Sequence, residues 1–166
     1  MESKDSLEHE QHDQLVETLK KQGICLTCHD LATGEIFGKQ GVIYEDALYK
    51  VVLELRPRML GHTIVVYKPH CEDLSHLSEA EAGPLFQLCV KVMRALKQAL
   101  HAEKVYLNTM CDGPINHLHI QLFPRYAGEH IGSTRFVSPR GHLTDAETTA
   151  QHIRMALLPI LKGKGE

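Results

Sequence analysis

Apolar residues recur at three- and four-residue steps in some stretches of the chain and alternate with polar ones in others, and these two periods separate helices from strands. Leu7, Leu15, Val16 and Leu19 fall at helical intervals and predict a helix over residues 7–22, with Gly23 as its stop. The clearest stripe is Leu85, Leu88, Cys89, Val92, Met93, Leu96 and Leu100, which predicts a long helix from Ser78 to about His101. Ser78 and Glu81 have capping-box spacing, but Pro84 belongs in a first turn, so a start near Gly83 or a kink there stays open. A last helix opens at Thr144 and Glu147, carries Ile153, Leu157, Ile160 and Leu161, and ends at Gly163.

Between the helices the period changes to two. Tyr49–Leu55 and Thr63–Tyr67 read as strands joined by a turn containing Pro57 and Gly61. Lys104–Asn108 reads as another, Cys111-Asp112-Gly113-Pro114 as a turn, and His117–Phe123 alternates strictly. Residues 24–41, with a cysteine pair and Gly34, Gly38 and Gly41, read as a loop or knuckle. Short strands, tight turns and one inserted long helix predict an α+β fold with a mostly antiparallel sheet. The 166 residues suit a single domain: an N-terminal helix (1–22), a core (24–126), and a C-terminal extension and helix (127–166).

Composition narrows the partners more than the fold. Hydrophobic residues are 43% and charged residues 23%, ordinary values for a globular chain. A net charge of -3 gives no polyelectrolyte signature, so nucleic acid is not an expected partner, while a small phosphorylated ligand needs only one local pocket. The polar start MESKDSLEHEQHDQ has no signal-peptide core, and no apolar run approaches the roughly 20 residues of a membrane span, so a cytoplasmic location off the membrane is expected. Five irregularly spaced cysteines do not form a secreted disulfide pattern, and Cys89, on the apolar stripe, reads as a small buried hydrophobe.

The candidate chemistry lies in Asn116-His117-Leu118-His119-Ile120-Gln121-Leu122-Phe123-Pro124-Arg125. In a strand, Leu118, Ile120 and Leu122 face one side and His117, His119 and Gln121 the other, about 7 Å apart at each step. By alternation alone this is either a solvated edge with incidental histidines or a functional row. The motif His-x-His-x-Gln followed by Pro-Arg resembles the histidine-triad superfamily, in the branch whose third histidine is glutamine. Galactose-1-phosphate uridylyltransferases and some dinucleoside-polyphosphate phosphorylases belong to that branch. Gly61-His62-Thr63-Ile64-Val65-Val66 with Lys68-Pro69-His70 is similar to the family's Gly-His strand, and Leu107-Asn108-Thr109 to the strand preceding the motif. The resemblance spans roughly residues 24–126 and implies a five-stranded, mostly antiparallel sheet with a long helix and terminal helices.

Cys25-Leu26-Thr27-Cys28 has ligand spacing for a tetrahedral metal, although a redox pair uses the same spacing. The redox version should open a helix in a βαβ unit, and residues 29–41 do not read as a helix. The resemblance implies a structural zinc completed by His70 and His117, leaving empty cysteines, or His29 or His62 as ligand, as the alternatives.

The resemblance further implies that His119 attacks a nucleotide α-phosphate and that Gln121 steadies the phosphoryl oxygens without shuttling a proton. Asn108, Asn116, His62 and Arg125 are then candidate nucleotide or phosphate contacts, and Arg135 and Arg140 candidates for distal phosphates. It implies a nucleotide hydrolase or nucleotidyltransferase, and a homodimer. The loop Cys111–Asn116 is shorter than the family's glycine-rich loop and lacks its Ser/Thr donor. That departure keeps open a non-catalytic nucleotide-binding module or a zinc-stabilised interaction module.

Overall fold

The computed structural model describes residues 4–37, 41–111, 113 and 115–163. In chain order the elements are α1 (Lys4–Lys21), α2 (Leu26–Thr33), β1 (Val42–Glu45), β2 (Tyr49–Leu53), β3 (Thr63–Tyr67), α3 (Glu79–Leu100), β4 (Lys104–Asn108), β5 (His119–Arg125) and α4 (Ala146–Leu161). The strands form one sheet in the order β1-β2-β3-β5-β4, with every neighbouring pair antiparallel. This is an α+β architecture with a five-stranded antiparallel sheet.

β3 and β5 occupy the middle of the sheet, and their sequences say why. Thr63-Ile-Val-Val-Tyr67 is buried at every position, and so are residues 120–124 of β5. β-Branched and aromatic side chains suit a strand covered on both faces. On one face α3 and α4 pack against each other and against the sheet. Leu85, Val92 and Leu96 from α3, and Ile153 and Leu157 from α4, join Leu118, Ile120 and Leu122 in one core. Each such fully buried aliphatic side chain contributes on the order of 2 kcal/mol of transfer free energy. The other face of β5 carries His119 and Gln121.

α3 starts at Glu79, not Gly83. The Glu81 carboxylate accepts hydrogen bonds from Ser78 N–H (2.9 Å) and Ser78 Oγ–H (2.6 Å), and the helix continues through Pro84. Pro84 and Ala80 are both exposed, so the Ala80 carbonyl that proline leaves without a donor faces water.

Four expectations need correction. Residues 26–33 are helical, not a loop: Cys25 N-caps α2, with its Sγ accepting from Cys28 N–H, and Gly34 at φ 72° ends it. The four-residue β1 lies just beyond the segment read as a knuckle. β2 stops at Leu53: Glu54 N–H still donates to His62 O (2.9 Å), and the chain bends away at Leu55 and Arg56. β5 begins at His119, so His117 and Leu118 precede the strand, and α4 is capped by Asp145 in the left-handed region (φ 49°) instead of Thr144. Gly38 of the knuckle and Asp112 and Pro114 of the expected turn lie outside the described residues, as does the side chain of Leu7.

Candidate active site and metal cluster

Register sets the site. Across the face opposite the helical core, Lys50, Val66 and His119 share one row, while Val52, Ile64, Gln121 and Asn108 share the next. His119 Nδ1 lies 2.9 Å from the carbonyl oxygen of His117. An acceptor there holds the proton on Nδ1 and leaves Nε2 with its lone pair free. Among the described residues no protein group pairs with that Nε2.

Gln121 is held from behind. His62 is fully buried, and its Nε2 lies 3.1 Å from Gln121 Oε1, while Arg58 N–H donates to His62 Nδ1 (3.3 Å). With Nδ1 accepting, His62 carries its proton on Nε2 and donates to Oε1, which turns the Gln121 amide N–H groups away from His62. Burial drives the His62 pKa down to about 4, against the opposing pull of Glu54 and the Gln121 bond, so the ring is neutral near pH 7. Its stack on Phe123, with ring centroids 4.3 Å apart, fixes the ring plane.

Beside His119 the sheet and α2 enclose a cavity of about 220 Å³. Val52, Ile64 and Val66 form its floor, Leu31 and Phe37 close it from above, and Lys50 and Glu54 stand at its sides. Lys50 Nζ is 3.7 Å from Asp30 Oδ2, and Asp30 Oδ1 accepts from the N–H groups of Ile36 (2.9 Å) and Phe37 (2.7 Å). The cavity therefore has apolar walls, Lys50 paired with Asp30, and Glu54, whose Oε1 accepts from Arg56 N–H (3.1 Å), next to a free imidazole nitrogen. Sequence reasoning missed these walls because α2 was read as loop and the outward side chains of β2 carried no motif.

The other expected contacts are dispersed. Asn108 pairs in register with Gln121 at the edge of the row. Asn116 braces its own loop, its Oδ1 accepting from Gly113 N–H at 2.8 Å. Arg125 lies six residues along β5 from His119, about 20 Å away at strand rise, and pairs with Glu103 at 2.6 Å. Arg135 is buried against Glu129 (2.8 Å), and Arg140 lies past the end of β2 on the C-terminal segment.

At the opposite end of the row, Cys25, Cys28, His70 and His117 bring one donor atom each within 4.8 Å of one another. His117 Nδ1 is 3.4 Å from both Cys25 Sγ and Cys28 Sγ, and His70 Nδ1 is 3.4 Å from Cys28 Sγ. Tetrahedral bonds of about 2.3 Å to sulfur and 2.0–2.1 Å to nitrogen would separate such donors by roughly 3.6 Å, so the spacing fits. His117 Nε2 lies 2.7 Å from the carbonyl of Tyr67, which commits its proton there and leaves Nδ1 bare. Desolvation, then the neighbouring Cys25, pushes the Cys28 thiol up to about 11, a penalty that a bound cation reverses. Sulfur, sulfur and two imidazoles form a zinc-type donor set with no open position. Although Cys25 caps a helix as redox pairs do, two histidines aimed at the thiols favour a metal.

Comparisons with known proteins agree with the fold. A family model for the HIT domain matches residues 38–128. An uncharacterized HIT-like protein of Methanocaldococcus jannaschii is 30% identical over 109 residues, covering 64% of this chain and 82% of the relative. A hypothetical histidine triad nucleotide-binding protein from Sulfolobus tokodaii superposes with a TM-score of 0.69 at 23% identity, over 86% of this chain and 97% of that one. A zinc-bound histidine triad family protein from Mycobacterium smegmatis gives 0.67 at 23% identity, over 84% and 96%.

Proposed function

The chain belongs to the HIT domain family, and we propose that it is a nucleotide hydrolase or nucleotidyltransferase acting at an α-phosphate through a nucleotidyl-histidine. The observation that carries this is the His119 imidazole, tied at Nδ1 to the His117 carbonyl and bordering the apolar-walled cavity. The nucleobase lies over Val52, Ile64 and Val66, which sets the α-phosphorus before Nε2. The Nε2 lone pair forms the N–P bond as the bond to the leaving oxygen breaks, and the leaving group departs with that electron pair. Water or a phosphorylated acceptor then attacks the same phosphorus, the N–P bond returns its electrons to the ring, and any proton on the attacking oxygen passes to solvent. Gln121 donates its amide N–H to a non-bridging oxygen as charge shifts there. It supplies no proton, which suits leaving groups that depart as stable anions, such as pyrophosphate or polyphosphate.

Cys25, Cys28, His70 and His117 would hold zinc, whose closed coordination supplies rigidity and no reacting group. No described helix is long and apolar enough to cross a membrane. β4 forms one edge of the sheet, where a second copy can pair to give a homodimer. The reading takes residues 1–166 as one domain.

The test is incubation with a panel of nucleotides and dinucleoside polyphosphates, with and without inorganic phosphate, followed by product analysis and intact mass. Turnover with an acid-labile nucleotide adduct, both absent in His119→Ala, is the expected result. Full turnover by His119→Ala overturns the nucleophile, and nucleotide binding without any product favours a binding module.

A further inference from the structure

Past residue 128, where the family match ends, the chain folds back over the end of the sheet. A short 3-10 turn at Ser133–Val137 sets Phe136 edge-on to Phe123 (5.0 Å) and Tyr106 (5.9 Å). Residues 138–144 then run beside the β2–β3 turn towards α4. Gly141 N–H donates to Pro57 O (2.7 Å), Arg140 to Arg56 O (3.1 Å), and the Arg58 guanidinium to Ser138 O. Between the two segments lies a second cavity of about 440 Å³. Arg58, Arg140 and His142 line it, and no carboxylate does. Glu54, 3.6 Å from Arg140, lines the cavity beside His119 instead.

We propose that this second cavity is an anion site, distinct from the one at His119, that takes the phosphate group of a small phosphate ester. An arginine has five N–H donors. Among the described residues Arg58 uses Nη1 alone, and its Nε is buried without an acceptor. Arg140 likewise uses Nη1 alone, for Arg56 O and the long contact to Glu54. Two guanidinium forks with unused donors and an exposed imidazole match a dianionic, oxygen-rich group, and the one nearby carboxylate, Glu54, meets Arg140 at Nη1 alone from outside the lining. The volume falls in the range of small-molecule sites, about 300–1,000 Å³, and exceeds what bare phosphate fills. Leu53, Met59 and Leu143 provide an apolar wall for the remainder of an ester. His62 also borders this cavity, so its occupant sits behind the ring that orients Gln121.

The probes are inorganic phosphate and glycerol 3-phosphate, titrated calorimetrically at constant ionic strength into the wild type, His119→Ala and the double variant Arg140→Gln/His142→Gln. Arg140 and His142 are exposed, and circular dichroism and melting check that the double variant stays folded. Glycerol phosphate is expected to bind the wild type at least as tightly as phosphate, to bind His119→Ala equally, and to bind the double variant about tenfold or more weakly. Arg140→Lys, which keeps the charge and loses the fork, should fall between. Absence of binding to the wild type, unchanged binding to the double variant, or loss in His119→Ala each overturns the site. Tighter binding of inorganic phosphate than of the ester overturns its assignment to an ester.

Discussion

His62 offers a quantitative test of how the site is built. Its ring is fully buried, bonded at both nitrogens and neutral, with a pKa of about 4 against 6.5 for a free histidine. The depressed value means that the unfolded chain takes up a proton at this position before the folded one does. Stability from His62 is therefore whole above pH 6.5, falls as pH drops through 6.5, and levels off near pH 4. At 1.36 kcal/mol per pKa unit the full loss is on the order of 3 kcal/mol, of which roughly 2–3 kcal/mol is gone at pH 4.5. Other groups titrate over the same range, so the relevant quantity is a difference between two proteins. His62→Gln keeps a donor for Gln121 and cannot be protonated. Urea unfolding of wild type and His62→Gln at half-unit steps from pH 7.5 to 4.5 gives two stability curves. The wild type should lose about 2–3 kcal/mol more than the variant across that range. Parallel curves would refute the claim that His62 is a buried neutral base.

Three further outcomes follow from particular contacts. Under the proposed role of its amide at the phosphoryl oxygens, Gln121→Ala should lower kcat by about 100-fold with a smaller change in KM; equal kcat in steady-state assays rules that role out. Gly61→Ala forces a side chain into φ 72° and into Leu100 Cδ1 and Pro124 Cγ, so a loss of at least about 1–2 kcal/mol is expected in urea unfolding. The purified protein should contain one zinc per chain by mass spectrometry, Cys28→Ser should contain little, and chelation should lower the melting temperature. An unchanged melt on complete metal removal contradicts a structural role.

Sequence made some of this legible and hid the rest for identifiable reasons. β3 and β4 span the residues their patterns predict, Thr63–Tyr67 and Lys104–Asn108. The long helix was visible from its stripe, while Pro84 obscured its start; one carboxylate bonded twice to Ser78 holds the first turn despite the proline. α2 was unreadable because eight residues carry too few apolar positions to show a period, and its cap is a thiol, not Ser, Thr, Asp or Asn. His119 and Gln121 stood out because two-residue spacing places them on one face and the motif marks them. The cavity beside them did not, because Leu31, Phe37, Val52 and Glu54 meet only through the packing of α2 on the sheet. The same holds for Arg140, whose neighbours Arg56 and Glu54 lie more than 80 residues away in sequence.

The position of His117 explains why one short segment carries both clusters. Its Nδ1 faces the two thiols, its Nε2 meets the Tyr67 carbonyl at the end of β3, and its own carbonyl receives His119 Nδ1. The segment 117–118 precedes the ladder of β5, and its backbone bonds all fall on Leu118: Tyr67 N–H to Leu118 O at 3.3 Å and Leu118 N–H to Cys71 O at 2.6 Å. A carbonyl that sets the tautomer of a nucleophile must keep its direction to within a few tens of degrees for the bond to retain its strength. Fixing both ring nitrogens of His117 removes the rotations that would swing that carbonyl away. The ion that fits between Cys25, Cys28, His70 and His117 would act on catalysis through this one peptide, at a remove from the reacting phosphorus. A two-residue step into the strand thus lets one side chain anchor the backbone while the next takes the proposed role of nucleophile.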